Sequence, residues 1–143
     1  MHMKNVVSVV SYMQNRQEID KEKINMLLYF VQREFFIVRN IPLLDACFYG
    51  TKYGVSVIDK HCCDDVVDVL NKEEENIINI VIDEYAKKSS MSLYRILYGE
   101  ISWNNSRKHI DERGIGRKMS NEDIRKDAIR IKEREKFLSY FRK

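Results

Sequence analysis

A chain of 143 residues, 44% hydrophobic and 33% charged, has the size and balance of one globular domain with a single core. One proline and five glycines argue against a loop-rich or disordered chain. No apolar run reaches the roughly 20 residues that a bilayer demands, which excludes a membrane role for a spanning helix. Residues 1–15 lack the charged start and small-residue cleavage pattern of a secretory signal, so a cytoplasmic location is expected. Cys47, Cys62 and Cys63 are odd in number and two are adjacent, which fits reduced thiols rather than a disulfide framework.

Taken in chain order, Val6, Val7, Val9, Val10 and Met13 open the apolar pattern. A helix is favoured there because Ser8, Ser11 and Gln14 then cluster at spacing three. Asp20 is a suitable N-cap for a core helix from Lys21 to Val38, in which Ile24, Leu27, Leu28, Val31 and Phe35 share one face. Asn40 and Pro42 end it. Residues 43–55, with Gly50 and Gly54, read as a loop holding at most one short β-hairpin. Ser56 precedes a helical pattern through Val57, Val66, Val67 and Leu70. A stronger helix spans Glu73 to Lys87, with acids in its first turn and Ile77, Ile78, Val81, Ile82 and Tyr85 inward. Ser90 caps a short helix carrying Leu93, Ile96 and Leu97 up to Gly99, and Trp103 follows as a large apolar anchor.

Residues 104–119 are polar and basic with Gly114 and Gly116, and an exposed basic loop is expected. Ser120 with Asp123 then opens a C-terminal helix over 120–141, with Ile124, Ala128, Ile131, Phe137 and Leu138 as a narrow apolar stripe. The fold expected is thus mainly α, a compact single multi-helix domain over residues 1–143. Charge is uneven: residues 104–143 carry 13 Lys or Arg against 7 Asp or Glu, a net +6, and residues 1–103 carry 12 against 15, a net −3.

The chemistry-bearing clusters are weak. Consecutive side chains of His61-Cys62-Cys63-Asp64 diverge by about 100° on a helix, and no second Cys or His pair completes a zinc tetrahedron. Asp64, Asp65, Asp68 and Glu73-Glu74-Glu75 read as a solvated face or helix start rather than a metal site. Gly114-Ile115-Gly116 lacks the rest of either nucleotide fingerprint. No cofactor, metal or enzymatic role is expected.

Several elements in order carry a resemblance. Lys23-Ile24-Asn25-Met26-Leu27-Leu28-Tyr29-Phe30-Val31-Gln32 follows a K-L-x-K-L-L-Y-x-x-Q helix pattern. Pro42-Leu43-Leu44-Asp45 and Tyr53-Gly54-Val55 follow at the matching distances, then Ser89 to Leu93 ahead of Trp103, and an aromatic tail at Tyr140-Phe141. From about Asn5 to Phe141 the chain resembles the Panacea domain. It departs from that pattern at Met26, Val55, Tyr98 and Ser102, where the family shows lysine, proline, histidine and proline.

The resemblance implies a mostly helical, non-enzymatic antitoxin of a bacterial or phage toxin–antitoxin pair. Such a protein neutralises a protein toxin by direct binding, and one branch delivers the toxin to a protease. Partner contacts are expected from Tyr49, Lys52 and Tyr53 in the 43–55 loop and from Trp103, with Tyr98 as a further candidate anchor, because such rings are enriched at interface hot spots. A nucleic-acid-binding regulator is the alternative, with Arg107, Lys108, Arg117 and Lys118 neutralising phosphates. A phage accessory or inhibitor protein is a third reading with the same binding physics.

Overall fold

The computed structural model describes residues 3–60 and 67–141. Among the described residues, six helices accompany a small antiparallel sheet: α1 (Val6–Arg16), α2 (Lys21–Arg39), β1 (Ala46–Thr51), β2 (Val55–Asp59), α3 (Lys72–Tyr85), α4 (Ser90–Leu97), α5 (Ile101–Ser106), a 3-10 turn (Arg107–His109), β3 (Ile115–Lys118) and α6 (Asn121–Phe141). The mainly α, compact architecture with a short hairpin agrees with the sequence pattern.

Helix α2 is the axis of the molecule. Met26 to Arg33, Phe35 and Phe36 are all buried, so burial runs round the helix rather than along the single stripe that the spacing suggests. It ends at Asn40, which adopts the left-handed conformation (φ 58°) and donates its N–H to the Phe36 carbonyl. Gln32 then fixes the descending chain. Its Oε1 accepts from the amides of Leu43 (3.1 Å) and Leu44 (2.8 Å), and its Nε2 donates to the Leu44 carbonyl (3.1 Å). This returns Leu43 and Leu44 into the core.

Strand order is β2-β1-β3. The β1–β2 register runs from Ala46↔Asp59 to Gly50↔Val55, and the turn is closed by Thr51 N–H to the Gly54 carbonyl (2.9 Å). The helical pattern expected from Ser56 onward is therefore corrected. Val55, Val57 and Ile58 are β-branched and pair as a strand, and so short a segment does not distinguish the two by periodicity. Val66 and the His61–Asp65 cluster lie outside the described residues.

The expected 104–119 loop is corrected too. It holds the end of α5, the 3-10 turn and β3, which pairs with β1 at Tyr49↔Lys118 and Thr51↔Ile115 around a bulge. The Asp111 side chain organises the connecting turn by accepting from the amides of Arg113 (2.9 Å) and Ile115 (3.0 Å), and Gly114 takes the positive φ of 79°. Glycine is required where α5 crosses the sheet. A Cβ on Gly116 would stand 2.2 Å from the Ser106 carbonyl oxygen, and one on Gly50 would stand 2.8 Å from Cγ of Arg107.

α3 begins with a capping box: the Glu74 amide donates to Asn71 Oδ1 and the Asn71 amide to Glu74 Oε1, both at 2.8 Å. α6 is capped by Ser120, whose Oγ accepts from the Asp123 amide at 3.0 Å. Only Ile124, Asp127 and Ala128 of α6 are buried. Its stripe does not continue inward, because residues 132–141 are exposed and Phe137 is 62% accessible.

A buried polar seam ties α2, α5 and α6 together. Asp127 accepts from the amides of Ile101 (2.7 Å) and Ser102 (3.0 Å) and from the Ser102 hydroxyl (2.7 Å). It caps α5 from another helix, since the N-cap residue Glu100 turns its own carboxylate onto Arg33 and makes no side-chain cap bond. Arg33 also donates to the Tyr85 hydroxyl at 2.7 Å and stacks over the Phe30 ring at 4.8 Å. Burial is the largest single influence and opposes the Arg33 charge, but the Glu100 carboxylate together with Tyr85 and Tyr29 outweighs it and the guanidinium binds its proton more tightly than usual. Tyr29 is fully buried against Ser102 (2.8 Å), and burial, reinforced by Glu100 and Asp127, holds its phenol well above the ordinary range.

Candidate partner-binding face

The face begins with α4, whose N-cap is Ser89 rather than the expected Ser90, because it is the Ser89 Oγ that accepts from the Ser92 amide at 3.1 Å. Leu93 and Leu97 are fully buried, which leaves Tyr94 and Tyr98 one turn apart on the flank of the same helix. Their rings meet edge-on with centroids 5.0 Å apart. Both lie against Trp103 of α5, at 5.4 and 5.3 Å. Across the gap, Tyr53 at the hairpin turn approaches Tyr94 at 6.5 Å, and the Lys52 ammonium lies 5.4 Å from the Tyr53 ring.

Trp103 was expected at the interface itself, and its burial corrects that assignment. The indole is fully buried and donates from Nε1 to the Gly54 carbonyl at 2.8 Å. It is the floor that pins the hairpin turn to α5, with the exposed tyrosines above it. Tyr53 and Tyr98 are 72% and 56% accessible, so they carry the face. Tyr49 is half-buried on β1, opposite Ser56 and Lys118, and no ring contact joins it to this cluster.

Arg107 completes the arrangement. Its guanidinium lies 3.9 Å from the Trp103 ring centre and 6.0 Å from that of Tyr98, and one terminal nitrogen reaches the Lys52 carbonyl at 3.3 Å. Its Nε is shielded from solvent with no hydrogen-bond partner. The single Tyr94 hydroxyl proton lies within reach of both the Lys52 carbonyl (3.2 Å) and the Tyr98 oxygen (3.3 Å). That hydrogen bond and Arg107 hold the Tyr98 phenol below its usual range, while the Tyr94 phenol is pushed up, chiefly by the same bond.

Sequence reasoning picked out Lys52, Tyr53 and Tyr98 and missed Tyr94. The available signal was the four-residue spacing of Tyr94 and Tyr98 beside the inward Leu93 and Leu97. It placed Arg107 with Lys108, Arg117 and Lys118 as a phosphate-binding set, but the fold divides that set. Arg107 belongs to the aromatic face, and Arg117 and Lys118 are consecutive on β3, so their side chains leave opposite sides of the strand.

Among the described acids, Glu73 pairs with Arg39 at 2.5 Å, Glu74 caps α3, and Asp68 accepts from the Asn5 amide at 2.9 Å. No group of three or more His, Cys, Asp or Glu among the described residues is arranged to hold a metal ion. A groove of about 730 Å³ lies between α2, α3, α6 and the α4–α5 junction, with Arg33 and Glu100 in its wall. Four cations and four carboxylates line it, so its formal charges balance. No described helix is long and apolar enough to cross a membrane.

The fold and face together define a small, mainly α domain with an exposed aromatic and cationic surface. Neither family models, nor curated proteins, nor solved structures provide a match to this chain.

Proposed function

We propose that this chain is a protein-binding domain that neutralises a toxin by covering part of its surface, as the resemblance to the Panacea domain implies. The observation that carries the reading is the convergence of Tyr94 and Tyr98 on Trp103 and Arg107, with Tyr53 beside Tyr94. Rigid aromatic rings with two torsions each supply contact area at low entropic cost, and tyrosine and arginine are over-represented among residues that dominate binding energy. A buried tryptophan beneath them fixes their positions before any partner arrives. The proposal contains no catalytic step and places the protein in the cytoplasm beside its target.

The test is recovery of the main bound protein from the native host, followed by expression of that protein alone and together with this chain. Growth arrest relieved by co-expression supports the proposal; a partner without toxicity contradicts it. Following the toxin's lifetime during rescue separates simple masking from delivery to a protease, since only delivery shortens it.

The nucleic-acid reading draws on the exposed cations of the 3-10 turn and β3. It is the weaker of the two because the strand sends Arg117 and Lys118 to different sides.

A further inference from the structure

Exposed cations without an ion-pair partner among the described residues adjoin the aromatic face, next to a 111–114 turn that carries Asp111 and Glu112. The 111–114 turn abuts the hairpin turn through the Lys52 amide, which donates to the Gly114 carbonyl at 3.0 Å, and the 3-10 turn adjoins both through Arg107. Lys52, Arg107 and Lys108 therefore gather at one end of the molecule. Among the described residues none of the three has a carboxylate within 4.0 Å. The neighbouring Asp111 is committed to Arg113, at 2.9 Å, and to two backbone amides.

Arg107 has further hydrogen-bonding capacity. A guanidinium carries five N–H donors in a fixed fork, and here it makes one long contact to the Lys52 carbonyl and interacts with the Tyr94 and Tyr98 hydroxyls, while its Nε has no partner. With the Trp103 ring against one face of the group, a partner oxygen meets its edge, where carboxylates bind in a fork-to-fork manner. Ring orientation bears on the class of partner. Tyr53 and Tyr94 are inclined at 48°, and Tyr94 and Tyr98 at 85°. Rings set this steeply form walls for a side chain rather than a succession of parallel platforms for the bases of a single strand.

We propose that the segment recognised by this face is an acidic stretch of protein, placing a carboxylate on Arg107 beside Lys52 and an apolar or aromatic side chain between Tyr53 and Tyr98. This rests on the partner-docking reading above and specifies its chemistry.

The probe is a fluorescent glutamate–tyrosine copolymer, titrated by anisotropy against the full chain, with an oligothymidylate of equal charge as the comparison. Binding of the copolymer is expected to weaken at least about tenfold between low and physiological salt. Arg107→Gln is expected to weaken it about tenfold, with Arg107→Lys intermediate because the charge stays and the fork is lost. Intact folding of each variant is read from Trp103 fluorescence and Tm. No copolymer binding, or tighter binding of the oligothymidylate, overturns the proposal. If Tyr53→Ala and Tyr98→Ala weaken copolymer binding while Arg107→Gln and salt do not, the docking face stands and its preference for acidic segments fails. If none of the variants has an effect, both fail.

Discussion

The Arg107 guanidinium lies 3.9 Å from the centre of the buried Trp103 ring, so a surface cation and the hairpin's anchor form one unit. The indole sets where the charge sits, and its Nε1 bond to the Gly54 carbonyl sets where Tyr53 is presented. Disturbing the floor therefore disturbs the face. Trp103→Ala removes a fully buried side chain and is expected to cost about 3–5 kcal/mol in denaturant unfolding. A loss below about 1 kcal/mol would show that α5 and the hairpin do not depend on it.

The Tyr94–Tyr98 contact has a spectroscopic signature. Tyr98 ionises below the usual tyrosine range because Tyr94 donates to its oxygen and Arg107 lies beside it. Tyr94→Phe and Arg107→Gln are each expected to return it upward, read by site-resolved NMR titration. For an acid whose folded pKa is depressed, the linked stability is present above the unfolded pKa and is lost as pH falls through the folded value. That window lies at alkaline pH, so stability near neutrality is unchanged by this group. An unshifted Tyr98 in both variants would contradict the geometry.

Asp127 caps α5 from a different helix, and its side chain is wholly buried. Asp127→Ala leaves the Ile101 and Ser102 amides and the Ser102 hydroxyl without that acceptor, at an expected cost of about 3 kcal/mol. Asp127→Asn, which keeps one acceptor oxygen, is expected to cost less. Equal losses would show that the charge rather than the cap is what matters.

Much of this architecture is legible in the sequence, and the misses have physical reasons. The α2 pattern and its stop at Asn40 and Pro42 are strong because a long apolar helix and a fixed proline φ are both local signals. β2 and β3 are not, since strands of five and four residues acquire their identity from pairing. The role of Asp127 is hidden because it sits within a highly charged helix and the amides it caps lie 25 residues or more earlier. The aromatic face is half legible: tyrosine and arginine can be counted, but only the fold brings residues 52–53, 94–98 and 107 together.

The Arg33–Glu100 pair calls for a double-mutant cycle. Glu100→Gln alone leaves the buried guanidinium without its counter-charge, and a loss of about 3–5 kcal/mol is expected. Arg33→Met with Glu100→Leu removes both charges and should cost clearly less than the sum of Arg33→Met and Glu100→Leu made singly. Strict additivity would mean that the pair is not coupled.

The far end of α6 offers the opposite expectation. Phe137 and Phe141 touch each other, at 4.9 Å, and are 62% and 68% accessible. Phe137→Ser with Phe141→Ser should change unfolding free energy by no more than about 0.5 kcal/mol, as for other exposed positions. A large loss would reveal a packing role for this end of the helix.

The most direct test of the proposed function is growth rescue in cells expressing the main bound protein recovered from the host, comparing the intact chain with a Tyr98→Ala, Arg107→Gln variant present at the same level and shown to be folded. Rescue by the intact protein and its loss in the variant are the expected outcome. Undiminished rescue by the variant would contradict the assignment of this face as the neutralising surface.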